Sequence, residues 1–127
     1  MKQAPLLTKE EYELVKDYLL LPIIFDVLER DIKKLDMMKL KMSEIYVRLL
    51  RGIQDKILLN MLNDRTLLKE RGIKVYEQRR TELGIEAFYL CRGYPHAISM
   101  LWGFVRAEVQ VRLCEYLGIN YTNEVTT

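Results

Sequence analysis

The segment between Pro95 and Gly118 restricts the fold most, because its apolar residues form two stripes on opposite sides of a helix. At the helical period of about 100° per residue, the first stripe contains Ile98, Trp102, Val105, Val109, Leu113 and Tyr116. The second stripe contains Met100, Phe104, Ala107, Val111 and Cys114. A helix on the surface of a monomer needs only one apolar stripe. The pattern therefore predicts a helix over 95–117 that is buried on both sides, by the rest of the fold or by a second copy of the chain.

A β-hairpin over 73–92 is predicted immediately before this helix. Two runs that contain β-branched and aromatic residues flank the turn segment 81–84. A four-residue loop there predicts three cross-strand pairs: Val75 with Leu90, Tyr76 with Tyr89, and Arg79 with Glu86. The alternative is a short helix over 81–91, in which Gly84 would cost about 1 kcal/mol relative to alanine. The hairpin is the favoured interpretation.

Helical patterns account for most of the chain before the hairpin. Thr8 and Glu11 have the spacing of a capping box, so the first helix is predicted to begin at Thr8. Pro22 is predicted to end or kink it at Leu21, because proline lacks a backbone N–H and clashes with the preceding turn. The predicted helices cover about 8–21, 22–36 and 39–71. The last segment repeats apolar residues every four positions and is either one helix or two with a break near residue 63, where Asp64 could act as a cap.

The composition indicates one folded domain over 1–127. Half of the 127 residues are hydrophobic and 30% are charged, which is typical of a globular protein with a substantial core. The tail 118–127 has no helical period. The predicted fold class is mainly α (α+β): a helical bundle of four to five helices with one β-hairpin before a long C-terminal helix.

Charge is distributed unevenly along the chain. Residues 9–36 carry a net charge of −3, whereas residues 65–92 carry +3. Four basic residues of the predicted hairpin could contact nucleic acid or another anion: Lys74, Arg79, Arg80 and Arg92. A competing interpretation is that these charges keep the edge of a sheet soluble. The modest overall basicity, with a pI of about 8.5, favours the second interpretation.

No residue pattern indicates catalysis, a cofactor or a metal. Cys91 and Cys114 do not form a CxxC motif, and we expect free thiols in a reducing compartment. His96, the single histidine, has no partners at metal-ligand spacing. The glycines are scattered and form no phosphate-binding loop. The longest apolar run, 19–25, is far shorter than the roughly 20 residues of a membrane span. We therefore expect a cytoplasmic protein without a cofactor.

These observations favour a small non-enzymatic protein that acts through protein–protein association, as a homodimer or with another protein partner in a regulatory or adaptor role. The doubly apolar C-terminal segment supplies the predicted contact surface: Trp102, Val105 and Val109, or instead Phe104 and Val111. Nucleic-acid binding through the basic hairpin is the alternative function. A remote alternative is an enzyme whose site is assembled only by the fold.

Overall fold

The computed structural model describes residues 7–120. It contains three α-helices and three β-strands. In chain order they are α1 (Lys9–Met37), α2 (Ser43–Glu70), β1 (Ile73–Arg80), β2 (Gly84–Cys91), β3 (Tyr94–Leu101) and α3 (Trp102–Leu117).

The first helix, α1, begins with the predicted capping box. The Thr8 hydroxyl accepts a hydrogen bond from the backbone N–H of Glu11, and the Glu11 carboxylate accepts one from the backbone N–H of Thr8, both at 3.1 Å. The predicted end at Pro22 is wrong, because α1 continues through this residue. Buried apolar residues flank Pro22 on both sides: Leu19, Leu20, Leu21, Ile24 and Leu28. Each contributes about 1.5–3 kcal/mol, so together they outweigh the cost of about 3 kcal/mol for an internal proline.

The second helix, α2, is continuous, so one helix rather than two covers the region near residue 63. Ile57 and Leu68 are buried on either side of this point, and their packing favours an unbroken helix. Asp64 therefore does not cap a new helix. Its side chain lies mid-helix and is buried.

The sheet is an antiparallel meander with the strand order β1-β2-β3. The predicted pair of Arg79 with Glu86 is present. The other two predicted pairs, which start from Val75 and Tyr76, are wrong by one residue. A β-bulge after Val75 leaves Tyr76 without an opposite residue, and Val75 lies opposite Tyr89. A bulge depends on contacts of both strands, so loop length alone does not reveal it.

Residues 94–101 form β3, so the predicted helix over 95–117 is wrong in its first third. Arg92 and Gly93 have φ angles of 51° and 88°, and this two-residue turn folds β3 back onto β2. Ile98 and Met100 would lie on opposite sides of a helix, but they lie on the same side of a strand, and both are buried. Ile98 and Met100, which belong to different stripes in the helical prediction, therefore belong to the same inner face of β3.

The predicted fold class, a bundle of four to five helices with one hairpin, is therefore wrong. Two predicted helices merge into α1, and part of the last one is a strand that extends the hairpin to three strands. The fold is α+β, with three helices and one three-stranded antiparallel sheet among the described residues. The last helix does end where the sequence predicts, at Gly118, which has the left-handed φ angle of 72°.

The hydrophobic core is built around α1, not around the C-terminal helix. Buried residues of α1 share one apolar cluster with the inner face of the sheet and with buried residues of α2 and α3. The inner face of the sheet consists mainly of Ile73, Ile85, Ala87, Tyr89, Cys91, Ile98 and Met100. β2 begins at Gly84, where a Cβ would lie 2.0 Å from the carbonyl oxygen of Met100, so only glycine fits.

Candidate functional site

The two predicted alternatives for a contact surface on the last helix lie in different environments. Val105 and Val109 are buried in the core of the monomer, so they are not on its surface. Trp102 is half-buried, and its Nε1 donates a hydrogen bond to the backbone oxygen of Thr81 at 2.8 Å. Phe104 and Val111 are exposed. Only the second alternative therefore lies on the surface.

Three of the four basic residues predicted to contact nucleic acid form ion pairs with acidic side chains. Arg92 forms an ion pair with Glu11 of α1, with the Nη1 and Oε2 atoms 2.8 Å apart. Because the bulge adds one residue to β1, each later side chain of β1 points to the opposite side of the sheet from the one that simple alternation would give. Arg80 consequently reaches Asp26 of α1 at 4.0 Å. The other two are Arg79, which lies over the Phe88 ring and forms an ion pair with Glu77, and Lys74, which is exposed. Three of these four charges are therefore neutralised by acidic side chains, and Lys74 forms no ion pair within residues 7–120.

The Glu11–Arg92 ion pair joins the start of α1 to the turn between β2 and β3. Arg92 donates hydrogen bonds to both carboxylate oxygens of Glu11 and a third to the backbone oxygen of Arg71. The pKa of Glu11 is lowered to about 2, mainly by the hydrogen bond from Arg92. Burial of the carboxylate acts in the opposite direction and raises the pKa, but it is the smaller effect. Glu11 therefore carries a buried negative charge at neutral pH, and Arg92 has a structural role.

The outer side of α2 carries large apolar residues that no part of the described chain covers. Ile45, Leu49 and Leu59 are 60%, 54% and 66% exposed. Together with three further exposed residues they follow an alternating spacing of four and three, which is typical of a helix–helix seam. We call this set the α2 seam: Ile45, Leu49, Gly52, Lys56, Leu59 and Asn63.

The apolar residues that repeat every four positions in the sequence do not all lie on one side of α2. The sequence repeats Ile45, Leu49, Ile53, Ile57 and Met61 at steps of four. Each step of four residues turns a helix by roughly 40° beyond a full turn, so the stripe winds around α2. Ile53 and Ile57 are buried, whereas the first two members lie on the outer side. The four-three spacing from Ile45 to Leu59 is the signal that could have revealed the seam.

Further exposed apolar residues flank the seam. Leu58 and Leu62 lie on one side of it, and Met42 and Tyr46 lie on the other. The connection between α1 and α2 adds Met37, Met38 and Leu40, all exposed. Monomeric proteins seldom leave so many neighbouring large apolar side chains in water, so this face is a candidate interaction surface.

Gly52 lies at the centre of the seam without a structural reason within the monomer. A Cβ at this position would meet no described atom within 4 Å. A glycine inside a helix costs about 1 kcal/mol relative to alanine. The absence of a side chain here allows close approach of another backbone along the seam.

A cluster of charged side chains joins α3 to the other two helices. The Nε atom of Arg112 lies 3.1 Å from Asp17, and its Nη1 atom lies 3.3 Å from Glu108. Lys16 forms an ion pair with Glu108 at 3.1 Å. Asp64 of α2 faces this cluster but is only 6% exposed, and its Oδ2 atom has no hydrogen-bond partner among the described residues.

Asp64 is the most strongly perturbed titratable group of this cluster. Burial raises its pKa to about 8, and the neighbouring carboxylate of Asp17 raises it in the same direction. Asp64 therefore holds a proton at neutral pH. The arrangement thus indicates a pH-sensitive contact between helices.

The thiols and the histidine lie in settings without evident reactivity. Cys91 is buried, and burial raises the pKa of its thiol. Cys114 is also unpaired with another cysteine. The His96 ring stacks on Tyr89 with the ring centroids 5.4 Å apart. Within residues 7–120, no group of three or more His, Cys, Asp or Glu side chains is arranged to hold a metal ion.

The fold and this surface define an α+β protein with an unpartnered apolar helix face. A family model described as YhjD protein matches residues 6–121. The chain therefore belongs to the YhjD protein family. No curated protein and no solved structure matches the chain significantly. None of the helices in the described part of the chain combines the length and the hydrophobicity needed to cross a membrane.

Proposed function

We propose that this protein acts through protein–protein association and forms a homodimer in which the α2 seams of two copies pack against each other. The observation that carries this proposal is the set of exposed apolar residues Ile45, Leu49 and Leu59 at four-three spacing around Gly52. The dimer would have a regulatory or adaptor role without catalysis of its own. The free thiols of Cys91 and Cys114 support a reducing compartment such as the cytoplasm.

The symmetry of the seam favours a second copy as the partner. Ile45 and Leu59 lie seven residues before and seven residues after Gly52. In an antiparallel pair of α2 helices whose glycines meet on the twofold axis, Ile45 of one copy lies level with Leu59 of the other. This contact occurs twice, about 10 Å on either side of the axis. The central glycine lets the helices approach closely enough for these side chains to interlock.

Charges beside the seam are compatible with the same arrangement. Arg48 and Asp55 lie on the same flank, nearly equal distances before and after Gly52. In the antiparallel dimer, Arg48 of one copy therefore lies near Asp55 of the other. Asp55 forms no ion pair within the described part of the monomer. On the opposite flank, the aliphatic stem of Lys56 lies near Leu49 of the second copy and covers it.

Solution mass measured by light scattering tests the proposal. We expect the wild-type protein to have the mass of a dimer at micromolar concentration, and we expect Ile45→Glu and Leu59→Glu to be monomers. Leu83→Glu is the matched control, because Leu83 is an equally exposed leucine in the turn between β1 and β2. A monomeric wild type, or seam variants that remain dimers, would refute the proposal.

Mixing two variants tests the antiparallel register. Ile45→Glu and Leu59→Lys should each weaken self-association, because each buries a charge against an apolar residue twice per dimer. An equimolar mixture should form a heterodimer, because one end then pairs Glu with Lys and the other keeps Ile45 against Leu59. Native mass spectrometry distinguishes the heterodimer from either homodimer. The absence of a heterodimer would exclude this register.

A further inference from the structure

The basic charge of residues 65–92 separates into a neutralised group and a group without partners. Four of its seven basic residues form ion pairs within the described chain: Arg71 with Glu10, Arg92 with Glu11, Arg79 with Glu77, and Arg80 with Asp26. The other three, Arg65, Lys69 and Lys74, form no ion pair with any residue in 7–120. Among the basic residues of 65–92, these three are therefore the ones whose positive charge is not neutralised by an ion pair in the described chain.

These three residues line a single cavity between the end of α2 and the beginning of β1. The cavity has a volume of about 460 Å³. Arg65 and Lys69 lie one helical turn apart on α2, and Lys74 lies on the strand that follows. The remaining lining is mostly apolar and consists of Tyr18, Leu68, Gly72, Ile73 and Val75. A cationic rim thus surrounds an apolar floor.

The strand side of the cavity also contributes backbone donors. β1 is an edge strand, because it pairs only with β2. In an antiparallel edge strand, alternate backbone N–H groups point away from the neighbouring strand and are open to other acceptors. Residues 73–75 of this edge strand line the cavity. An anion placed here would meet both charged side chains and backbone N–H groups.

We propose that this cavity binds a small organic phosphate, a ligand with a phosphorylated end and a flat apolar end, as in a nucleotide. Phosphate oxygens accept hydrogen bonds from guanidinium and ammonium groups, and such charge-assisted bonds are the strong ones in proteins. The apolar floor beside Tyr18 covers the other end of the ligand. The volume lies within the range of about 300–1,000 Å³ that is usual for small-molecule sites. This inference is independent of the proposed dimer.

Isothermal titration calorimetry on the full chain tests the proposal with three probes: ATP, adenosine and inorganic phosphate. We expect ATP to bind, and we expect inorganic phosphate and adenosine each to bind at least tenfold more weakly, because each engages only one part of the cavity. If inorganic phosphate binds as tightly as ATP, the apolar floor contributes nothing and the proposal is overturned. If none of the probes binds, it is overturned as well.

Charge-removal variants locate the binding. We expect Arg65→Gln, Lys69→Gln and Lys74→Gln each to weaken ATP binding about tenfold, as the loss of one charge-assisted contact would do. All three positions are exposed, so the fold should be retained. Lys33→Gln is the matched control, because Lys33 is an exposed lysine of α1 outside both the cavity and the α2 seam. Equal affinities in all four variants would place any binding elsewhere and refute the assignment.

A single-stranded oligonucleotide distinguishes the small ligand from nucleic acid. We expect it to bind no more tightly per site than ATP, because one cavity accommodates one nucleotide. If an oligonucleotide of ten residues binds more than tenfold tighter than ATP, and Lys69→Gln weakens that binding, then the cavity is part of a nucleic-acid surface. The small-molecule assignment would then be wrong.

Discussion

The two long helices are nearly equal in length but differ in how the monomer uses them. α1 has 29 residues, of which nine are buried, whereas α2 has 28 residues, of which five are buried. α1 packs against α2, α3 and the inner face of the sheet. α2 packs on α1, contacts the start of β1, and donates a hydrogen bond from Asn60 to the Tyr116 hydroxyl of α3. Both helices are rich in apolar residues, but α1 buries most of them, whereas α2 leaves a long row of them exposed. The difference indicates that α1 organises the fold and that α2 presents a surface.

The largest expected effect contrasts one leucine of each helix. Leu20 of α1 is fully buried, so Leu20→Ala should lower the free energy of unfolding by about 2–5 kcal/mol through lost burial and a residual cavity. Leu59 of α2 is exposed, so Leu59→Ala should change the stability of the monomer by less than about 0.5 kcal/mol. Urea denaturation at low protein concentration measures both. Equal losses would contradict the division between the two helices.

The second prediction concerns the ion pair that ties α1 to the sheet. Arg92→Ala leaves the buried carboxylate of Glu11 with only the longer ion pair to Arg71, at 3.8 Å, and should lower the free energy of unfolding more than the loss of an exposed pair does. The control is Arg48→Ala on α2, whose exposed pair with Glu44 should be worth below about 0.5 kcal/mol. Denaturant unfolding at pH 7 compares the two variants.

Acid unfolding sharpens the same prediction. The folded-state pKa of Glu11 is about 2, below its ordinary value of 4.5. Its stabilising effect is therefore present above about pH 4.5 and is lost as the pH falls towards 2. Arg92→Ala should reduce this loss, because the main cause of the lowered pKa is removed. Identical pH dependence in the variant and the wild type would show that Arg92 does not stabilise the charge.

The third prediction concerns the buried face of α2. The folded-state pKa of Asp64 is about 8, above its ordinary value of 3.8, so the folded protein retains a proton that the unfolded chain loses. The stability that the protonated Asp64 contributes is therefore lost as the pH rises from about 4 to 8. Asp64→Asn should raise stability at pH 8 by about 1–3 kcal/mol, since the amide carries no charge to bury.

Asp31→Asn provides the control for this measurement. Asp31 is an exposed aspartate of α1 outside the proposed dimer interface, so its substitution should change the stability by less than about 0.5 kcal/mol. Thermal unfolding from pH 4 to pH 9 compares the two variants with the wild type. A wild-type stability that does not decline between pH 4 and 8 would contradict the raised pKa.

The smallest expected effect is that of Gly52→Ala, which should act in opposite directions on the monomer and on the dimer. Gly52→Ala should stabilise the monomer by about 1 kcal/mol, because alanine favours the helix and its Cβ meets no neighbour. The same change should weaken the dimer, because two added methyl groups would lie between the central backbones. Thermal unfolding at low concentration measures the first effect, and light scattering measures the second. Unchanged dimer affinity would remove Gly52 from the proposed interface.

Local signals were sufficient for the ends of elements. The capping box at Thr8 and Glu11 and the left-handed Gly118 involve residues within one turn of each other, and both are present as predicted. The pairing of Arg79 with Glu86 is similarly local, because a short turn sets it. The seam of α2 also has a local signal in its four-three spacing. Its exposure, however, depends on which side α1 covers.

The sequence by itself determined where α1 begins, where α3 ends and how β1 and β2 pair beside their turn, because these depend on neighbouring residues. The tertiary structure alone decided whether Pro22 interrupts α1, whether 94–101 is helix or strand, and which basic residues are neutralised. Each of these outcomes depends on distant partners. Arg92 and Glu11, for example, are 81 residues apart. Packing of several kcal/mol overrides a local preference of about 1–3 kcal/mol, and only the folded chain brings that packing together.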